Sequence, residues 1–408
     1  MRQAASAKPN EPSRQLTLSR HHFRRPRNYI LGALSEALAP ALRGVAALIS
    51  PGPKTPPASW RRGLIISQAR IGDVLFRTCS LEQLKRGLPQ CDWYYLAALD
   101  SAEVLRDNPF LKAVLPFCDS AGNVRLLPGA GAQLRAMRFD VALCTDFETY
   151  WQDHRISLEA RIPNRAGFTH RGLSGLVTEA VPCHYPSRWA AYFRQMVAHL
   201  TGAAPDWPLV PRVYASAEDE RSAESQWAKL NLSSDAPVVA CFMTTRGLSN
   251  VWPQDYYSEA LNLIRQNSGA GIVLSGSKQD ASVLHQFAAQ FRIPCKVLPG
   301  ELGIRALCCF LMKCSAVLAP DSGPRHIANA AGTPVVFIRN LFCPKAEAGQ
   351  YCDNEIDVSP DAESLPLEEQ ETWLRRVPPA LVAQTVLELL RREGRGPRAG
   401  VSAQNENR

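Results

Sequence analysis

The chain has 408 residues, 46% of them hydrophobic, and a mean hydropathy of -0.17, which fits a globular protein of two domains plus an appendage. Its formal charge of +8 and isoelectric point of about 8.9 suit an anionic substrate or a membrane surface, but this excess is too small to indicate a nucleic-acid-binding protein. Twelve scattered cysteines without a Cys-x-x-Cys pair indicate neither a disulfide framework nor a zinc site, and they are typical of buried thiols in a reducing cytosol.

The first part of the chain is basic and then apolar. Residues 1–27 are polar and basic, and we expect them to be disordered. Residues 29–50 carry apolar side chains at steps of three and four, which predicts one helical stripe. The stripe consists of Leu31, Leu34, Leu38, Leu42, Val45 and Ile49. Glu36, Arg43 and Pro40 argue against a helix that spans a bilayer.

Two interpretations of this helix stay open. One is an interfacial helix held by the arginines that precede it, which would make residues 24–50 a membrane-surface contact. The other is a helix packed on the body of the protein. The four prolines of residues 51–57 then predict a linker.

From Arg62 onward the pattern alternates between apolar runs and helical segments. Each run has the length of a buried strand, and helix-length connections between strands predict a parallel sheet. In the first half the predicted strands are residues 64–66, 93–98, 113–116, 140–145 and 165–168. Residues 146–155 are predicted to be a polar loop, residues 189–200 a helix, and residues 202–211 the connection between domains.

The second half repeats this alternation. Its predicted strands are residues 238–242, 271–275, 296–298, 316–319 and 335–338. Its predicted helices are residues 216–230, 254–266, 307–313 and 378–391, and the charged end of the chain should be disordered. We therefore expect an extension and linker at 1–58, domains at 59–205 and 206–392, and a tail at 393–408.

The segment Asp-Ser-Gly-Pro-Arg-His at residues 321–326 is a predicted strand-to-helix turn. Free backbone N–H groups at such a helix start attract anions, above all phosphate. Ser322 adds a hydroxyl donor, Gly323 lets a ligand approach the backbone, and Arg325 and His326 can add positive charge. Pro324 suits the first helical position. The alternative is a helix capped by Asp321.

A second turn, Arg-Ile-Gly-Asp-Val at residues 70–74, lies about 250 residues earlier. It also follows an apolar run and begins a helical pattern, and it carries a carboxylate, Asp73. The alternative for Asp73 is a capping carboxylate stabilised by the helix dipole. Two such turns in two α/β halves suggest two Rossmann-like domains that face a cleft.

Four motifs, in this order, resemble those of glycosyltransferase family 9, the heptosyltransferases of bacterial lipopolysaccharide synthesis. The motifs are Arg70-Ile71-Gly72-Asp73-Val74, Arg165-Ala166-Gly167-Phe168, Trp252-Pro253, and Asp321 to His326 with the following Gly332-Thr333-Pro334. The resemblance covers about residues 62–340. It implies an α/β GT-B fold of two Rossmann-like domains, here with an N-terminal helical extension. It also implies inverting, metal-independent transfer of a sugar, by default heptose from ADP-heptose.

The resemblance also implies roles for individual residues. Asp73 is similar in position to the family's base, and Arg70 and Gly72 lie on the acceptor side. The donor diphosphate would be held by Thr244, Thr245, Arg246, Asp321, Ser322, Gly323 and His326. No cofactor is expected, and no metal is expected because the chain has no Asp-x-Asp pair.

Two departures from the family pattern lie on the donor side. Asn250 stands where the family usually has a lysine two residues before Trp-Pro, and Arg246 is the candidate to supply the missing charge. Arg339-Asn340-Leu341-Phe342 stands where Gly-Pro-Thr is common. The donor sugar and its nucleotide base therefore stay open.

Two other classes of nucleotide-binding protein do not fit the sequence. One glycine in residues 67–73 excludes the nicotinamide dehydrogenase fingerprint, and no P-loop motif is present. A non-catalytic nucleotide-sugar-binding or scaffold protein on the same fold stays open. The expected partners are a nucleotide-sugar donor and an anionic glycolipid or glycan acceptor, and no nucleic acid. The expected location is the cytoplasm, at the inner face of the bacterial inner membrane.

Overall fold

The computed structural model describes residues 26–67, 70–119, 125–145, 151–232, 236–245, 251–291, 293–339, 344–359 and 373–392. In these ranges the chain forms two six-stranded sheets, and all neighbouring strands are parallel. Helices connect the strands. The predicted α/β fold with two Rossmann-like sheets is confirmed.

The N-terminal sheet has the order β3-β2-β1-β4-β5-β6. Its strands are β1 (Arg62–Ile66), β2 (Asp92–Ala98), β3 (Ala113–Cys118), β4 (Val141–Cys144), β5 (Asn164–Phe168) and β6 (Glu179–Val181). Its helices are α3 (Ile71–Thr78), α4 (Leu81–Gly87), α5 (Ala130–Ala136), α6 (Trp151–Glu159) and α7 (Trp189–Thr201).

The C-terminal sheet has the corresponding order β12-β11-β10-β7-β8-β9. Its strands are β7 (Val238–Phe242), β8 (Gly271–Gly276), β9 (Cys295–Pro299), β10 (Ala316–Pro320), β11 (Val335–Ile338) and β12 (Glu355–Asp357). Its helices are α8 (Ala217–Lys229), α9 (Gln254–Ser268), α10 (Ala281–Phe291), α11 (Ile304–Met312), α12 (Gly323–Ala330), α13 (Lys345–Ala348) and α14 (Pro379–Arg392).

The central strands are apolar on both faces because helices cover both sides of each sheet. All residues of β4, β7, β10 and β11 are buried, as the continuous apolar runs of the sequence predicted. The edge strands β6 and β12 were missed. Each has only three residues and contains carboxylates, so neither gives a periodic apolar signal.

In each sheet the first strand lies in the middle, and the chain fills one side before it crosses to the other. The strand order therefore reverses between β1 and β4, and again between β7 and β10. Ligands of such folds bind in the crevice outside the carboxyl ends of the strands at this reversal. Both turns singled out from the sequence follow these strands directly, at residues 70–74 and 321–326.

Three local predictions need correction. The polar loop predicted for residues 146–155 is wrong from Trp151 onward, where α6 begins, and residues 146–150 lie outside the described ranges. The helical pattern after Arg70 is two short helices, α3 and α4, and not one. Helix α12 begins at Gly323, so Pro324 is its second residue and Ser322 holds the N-cap position.

The N-terminal extension forms two helices, α1 (Pro26–Ala37) and α2 (Ala39–Ile49). They are bent by 74° at Leu38, and Pro40 lies in the first turn of α2. The expectation of disorder is wrong for Pro26 and Arg27, and residues 1–25 are not described. Among the described residues no single helix is long and apolar enough to cross a membrane, although this bent pair together meets the length and composition required.

Candidate active site between the two sheets

The first turn presents Asp73 at the start of α3. Arg70 has an extended backbone and precedes the helix, while Val74 and Leu75 are buried and fix the helix against the sheet. Asp73 lies in the first helical turn, and its side chain is 31% exposed. The sequence pattern therefore places a carboxylate at the carboxyl edge of β1 that stays accessible from the cleft.

Arg77 holds this first turn in place. It is buried, donates from Nη1 to the carbonyl oxygen of Asp73 at 2.6 Å, and donates from Nε to Thr145 Oγ1 at 3.2 Å. The Thr145 hydroxyl in turn donates to the carbonyl oxygen of Ile66 at the end of β1, at 2.7 Å. Arg77 Nη1 also lies 4.0 Å from Asp73 Oδ1. This network joins β1, β4 and α3 at the strand reversal.

Sequence reasoning missed Arg77. A signal for it exists, since Arg77 lies four residues after Asp73 on the same helix, which is the spacing of an ion pair.

The second turn contains a buried ion pair instead of a free cation. Arg325 donates from Nη1 to Asp321 Oδ1 at 2.7 Å, and from Nε and Nη2 to the two oxygens of Glu355 at 2.8 and 2.9 Å. All three side chains are almost completely buried. The expectation that Arg325 adds charge for a ligand is therefore wrong, because two carboxylates already neutralise it. Asp321 is held by Arg325 and does not cap α12.

The pKa values of the two carboxyls reflect this pairing. Burial raises the pKa of Asp321, although Arg325 opposes the shift. Burial alone would also raise the pKa of Glu355, but Arg325 and a hydrogen bond from Asn329 hold that pKa below its usual value. Glu355 was missed in the sequence, since it lies thirty residues from Arg325 on an edge strand.

His326 is a buried imidazole that faces the opposite domain. Its Nδ1 lies 2.9 Å from the Tyr351 hydroxyl, and the edge of the Phe76 ring packs against it with centroids 4.6 Å apart. Burial, together with the charge of Arg325, lowers the pKa of His326 well below the usual value. The expectation that His326 adds positive charge is therefore wrong at neutral pH. The neutral ring offers Nε2 on the side away from Tyr351.

The two turns touch across the cleft. A methyl group added to Gly72 would place its carbon 2.7 Å from His326 Cδ2 and 3.2 Å from Nε2. A methyl group added to Gly323 would lie 3.7 Å from Ile71, which is ordinary contact. Only a glycine at position 72 therefore lets the first turn of α3 approach His326 so closely. The structure thus brings Gly72 together with His326 and Ile71 together with Gly323, while Arg70, Asp73 and Ser322 are their neighbours in the chain.

Thr244 and Thr245 lie at the same edge of the C-terminal sheet. They follow β7, which pairs with β10 in the register Cys241 opposite Leu318, so both segments leave the sheet side by side. Arg246 and Asn250 lie outside the described ranges. The second departure from the family pattern begins at Arg339, which is buried and donates to Asp357 Oδ2 at 3.0 Å.

Two further features border the site. Trp252 is fully buried and donates from Nε1 to the carbonyl oxygen of Val377 at 3.1 Å, so the Trp-Pro motif anchors the start of α9 to the last helix region. Within the described part of the chain, no group of three or more His, Cys, Asp or Glu side chains is arranged to hold a metal ion.

Two solved structures show the same architecture. The glycosyl transferase family 9 protein from Veillonella parvula DSM 2008 superposes with a TM-score of 0.70 at 16% identity, covering 84% of this chain and 99% of that one. The ADP-heptose lps heptosyltransferase II of E. coli superposes with a TM-score of 0.64 at 19% identity, covering 81% and 99%. Two Rossmann-like sheets that face a central cleft in this way define the GT-B fold.

Sequence comparison identifies the family. Residues 131–345 match the model of glycosyltransferase family 9 (heptosyltransferase), which is more than half of the chain. The lipopolysaccharide heptosyltransferase 2 of Salmonella typhimurium is 26% identical over 297 residues, 69% of this chain and 83% of its own length. The lipopolysaccharide core heptosyltransferase OpsX of Haemophilus influenzae is 21% identical over 304 residues, 72% and 83%.

The chain belongs to glycosyltransferase family 9 and is a glycosyltransferase. The resemblance seen in its motifs is thereby confirmed. The family match includes the turn at residues 321–326 but begins after the turn at residues 70–74. The roles of individual residues, and the domain boundaries at 58, 205 and 392, stay predictions.

Proposed function

We propose that this enzyme transfers a heptose from ADP-heptose to a lipopolysaccharide-type acceptor, with inversion at the anomeric carbon and without a metal ion. The observation that carries the proposal is the contact of the two turns, Gly72 against His326 and Gly323 against Ile71, with Asp73 next to Gly72 in the first turn of α3. The names of the similar proteins support heptose as the sugar and lipopolysaccharide as the acceptor. We propose the inner face of the bacterial inner membrane as the place of reaction.

In the proposed reaction Asp73 is the general base. Its carboxylate takes the proton of the acceptor hydroxyl as the hydroxyl oxygen attacks the anomeric carbon of the donor. The new C–O bond forms as the bond between that carbon and the diphosphate breaks, and the nucleoside diphosphate leaves with the electron pair. A single displacement of this kind inverts the configuration. Arg77 acts as a positioning residue, because it fixes the turn that carries Asp73.

The departing diphosphate needs donors aimed at its oxygens. The backbone at the start of α12, the Ser322 hydroxyl and the Nε2 of His326 lie at this edge of the sheet. The Ser322 hydroxyl donates to the carbonyl oxygen of Pro320 at 3.4 Å, and we propose that a diphosphate oxygen replaces this long bond. We propose that Thr244, Thr245 and Arg246 complete the cradle from the β7 side. Asp321 then acts indirectly, since it is bonded to Arg325 and supports the turn from within.

The transfer itself is tested with the purified full chain, ADP-heptose and a truncated lipopolysaccharide acceptor that lacks heptose. We expect the acceptor to gain one heptose in the mass spectrum, with the opposite anomeric configuration by NMR, at the same rate with and without EDTA. Donor binding without any transfer would contradict the proposal and favour a non-catalytic nucleotide-sugar-binding protein. A rate that falls with EDTA and returns with Mg²⁺ would contradict metal independence.

The diphosphate cradle is tested by calorimetric titration of ADP into Ser322→Ala and His326→Ala. Each variant loses a donor to a charged oxygen, which is worth about 1.5–3 kcal/mol, or roughly ten- to 150-fold in the dissociation constant. The control is His285→Ala, which changes an exposed histidine on α10. Unchanged ADP affinity in both test variants would remove this turn from the donor site.

A further inference from the structure

We propose that the outer surface of α1 and α2 docks on an anionic phospholipid bilayer, with both helices lying in the headgroup region. The inference deepens the proposed function and rests on it, because an enzyme that acts on a lipid-linked acceptor must reach the bilayer that contains this acceptor. The docking surface itself is derived from the two helices alone.

The two helices turn their large hydrophobic side chains toward solvent. Seven of the thirteen exposed large hydrophobic residues in the described part of the chain lie in these 24 residues. We call them the apolar face, and they are Ile30, Leu31, Leu34, Leu38, Val45, Leu48 and Ile49. Leu31 is 62% and Leu48 83% exposed. Exposed large hydrophobic side chains concentrated in one short segment mark an interaction site.

The opposite side of the helices fixes them to the body through small and polar groups. Ser35 Oγ accepts from the backbone N–H of Leu173 at 3.0 Å, and Glu36 accepts from the backbone N–H and the hydroxyl of Ser174 at 2.9 and 2.7 Å. The backbones also approach closely. A methyl group added to Gly172 would lie 2.9 Å from Gly32 Cα, and one added to Gly175 would lie 2.4 Å from the carbonyl oxygen of Ala39. The helices are therefore held with the apolar face outward, as parts of the folded domain.

Of the two interpretations left open by the sequence, the packed helix is confirmed and the interfacial helix stays a proposal. The helices pack on the body, as the second interpretation expected, but they do so through the side opposite to the predicted stripe. The stripe itself stays exposed except for Leu42, which is half-buried.

The positive charge of the N-terminal segment indicates which partner binds the apolar face. The first fifty residues contain eight arginines and lysines but only two glutamates, so they carry +6 of the formal charge of +8. Arg27 and Arg43 are exposed on the two helices, whereas Glu36 is turned inward to Ser174. Each cation near an anionic bilayer contributes about 1 kcal/mol of attraction. A second copy of the chain would bring the same cations face to face, which disfavours a symmetric dimer.

The helix geometry fits a position along the bilayer surface. Helix α1 has 12 residues and α2 has 11, so each is about 17 Å long, and a 74° bend separates them. The hydrocarbon core is about 30 Å thick, which neither helix can cross. Helix α2 also packs beside α6, which begins with the exposed Trp151, and Arg155 lies 5.3 Å from the centre of that ring. Tryptophan is typical of the membrane–water interface.

The surface is next to the acceptor side of the cleft. Helix α1 contacts Gly172 and Leu173, which follow β5 at the carboxyl edge of the N-terminal sheet. Strand β5 is two positions from β1 in that sheet, or about 10 Å, and β1 leads into the Asp73 turn. A bilayer against α1 would therefore present a lipid-linked acceptor near the edge where Asp73 lies.

The test is sedimentation of the full chain with phosphatidylcholine vesicles that contain or lack phosphatidylglycerol, without nucleotide or acceptor. We expect binding to the anionic vesicles that weakens with salt. Leu34→Gln/Leu48→Gln should lower the partition coefficient by about tenfold or more, because both side chains lose their apolar contact. The matched control is Val283→Gln/Leu381→Gln, which changes exposed apolar residues on α10 and α14 and should bind as the unchanged chain does.

The outcomes separate docking from the proposed function. Since the vesicles hold no acceptor, binding is scored whether or not the chain transfers heptose. Where it does transfer heptose, Leu34→Gln/Leu48→Gln should keep its rate on a water-soluble acceptor and lose rate on a vesicle-embedded one. Absence of anionic-vesicle binding by the unchanged chain, or equal binding by both double variants, would overturn the proposal. A dimer in sedimentation velocity that Leu34→Gln/Leu48→Gln makes monomeric would assign the apolar face to a second copy instead.

Discussion

Gly72 lies where the turns of the two domains touch, and a side chain at this position would collide with the ring of His326. The ring that it faces cannot move easily, because His326 is held by the Tyr351 hydroxyl and by the ring of Phe76. A closed contact of this kind positions the first turn of α3 against the start of α12. The glycine is therefore required by close approach, and its backbone conformation is ordinary helix.

We expect Gly72→Ala to lower the free energy of unfolding by about 1–3 kcal/mol, as an overpacked methyl group does, and to lower kcat. Gly44→Ala is the control, since a methyl group there meets nothing within 4 Å and removes a helix-interior glycine. It should be neutral or stabilise by up to about 1 kcal/mol. Urea unfolding and steady-state rates are the measurements.

A double variant sharpens this result. In Gly72→Ala/His326→Ala the imidazole ring is absent. The added methyl group should therefore lower the free energy of unfolding very little relative to His326→Ala alone. An undiminished cost in the double variant would show that the close approach of Gly72 and His326 is not what the methyl group disturbs.

At the scale of elements, a buried charge network ties α12 to β12. Glu355 accepts from Arg325, from Asn329 Nδ2 at 2.8 Å and from the backbone N–H of Tyr351 at 2.6 Å. Tyr351 then contacts His326. The network therefore connects the edge strand β12, two positions from β10 in the sheet order, to the imidazole that faces Gly72.

We expect Glu355→Gln to destabilise the fold by about 1–3 kcal/mol, because the Gln amide would face donors that now bond to a carboxylate oxygen, while Asp321 still balances the charge of Arg325. Asp255→Asn is the matched control. Its partner Arg375 is 3.8 Å away and both side chains are more than half exposed, so the loss should be below about 1 kcal/mol. Equal effects of the two substitutions on urea unfolding would contradict the buried network.

This network also marks the limit of what the sequence could predict. Apolar runs and strand-to-helix turns are local patterns, so the sheets and the positions of Asp73 and Ser322 followed from them. The ionisation of His326 and the neutralisation of Arg325 depend on Glu355 and Tyr351, which come from a different part of the chain. Likewise, the apolar periodicity of residues 29–50 predicts a stripe but does not determine which side of the helices packs on the body.

At the scale of the whole molecule, buried histidines couple stability to pH. Burial, helped by the charge of Arg165, lowers the pKa of His154 to about 4, and burial also lowers the pKa of His326. An unfolded histidine has a pKa near 6.5, so the unfolded state binds these protons more readily as the pH falls. The stability contributed by the neutral rings is complete above about pH 6.5 and is lost as the pH falls toward the folded-state pKa.

We expect the free energy of unfolding to fall between pH 6.5 and pH 5, by about 2 kcal/mol for His154 alone. Ordinary carboxyl groups titrate below this window, which isolates the histidines. His154→Asn should flatten the profile, whereas His285→Asn, which changes an exposed histidine on α10, should leave its slope nearly unchanged. A profile that is already flat in the unchanged chain would contradict the neutral buried state of His154.

The central claim is that the two strand-reversal turns form one active site with Asp73 as its base. The most direct test compares Asp73→Asn with Asp255→Asn, which alters a carboxylate in the first turn of α9, outside both strand-reversal turns. Kinetics with ADP-heptose and acceptor give kcat, and calorimetry gives the dissociation constant of ADP. We predict that Asp73→Asn lowers kcat by roughly 10²–10⁴ while ADP affinity barely changes, and that Asp255→Asn leaves both unchanged. Near-normal turnover in Asp73→Asn would contradict the account and leave Asp73 a helix-stabilising carboxylate.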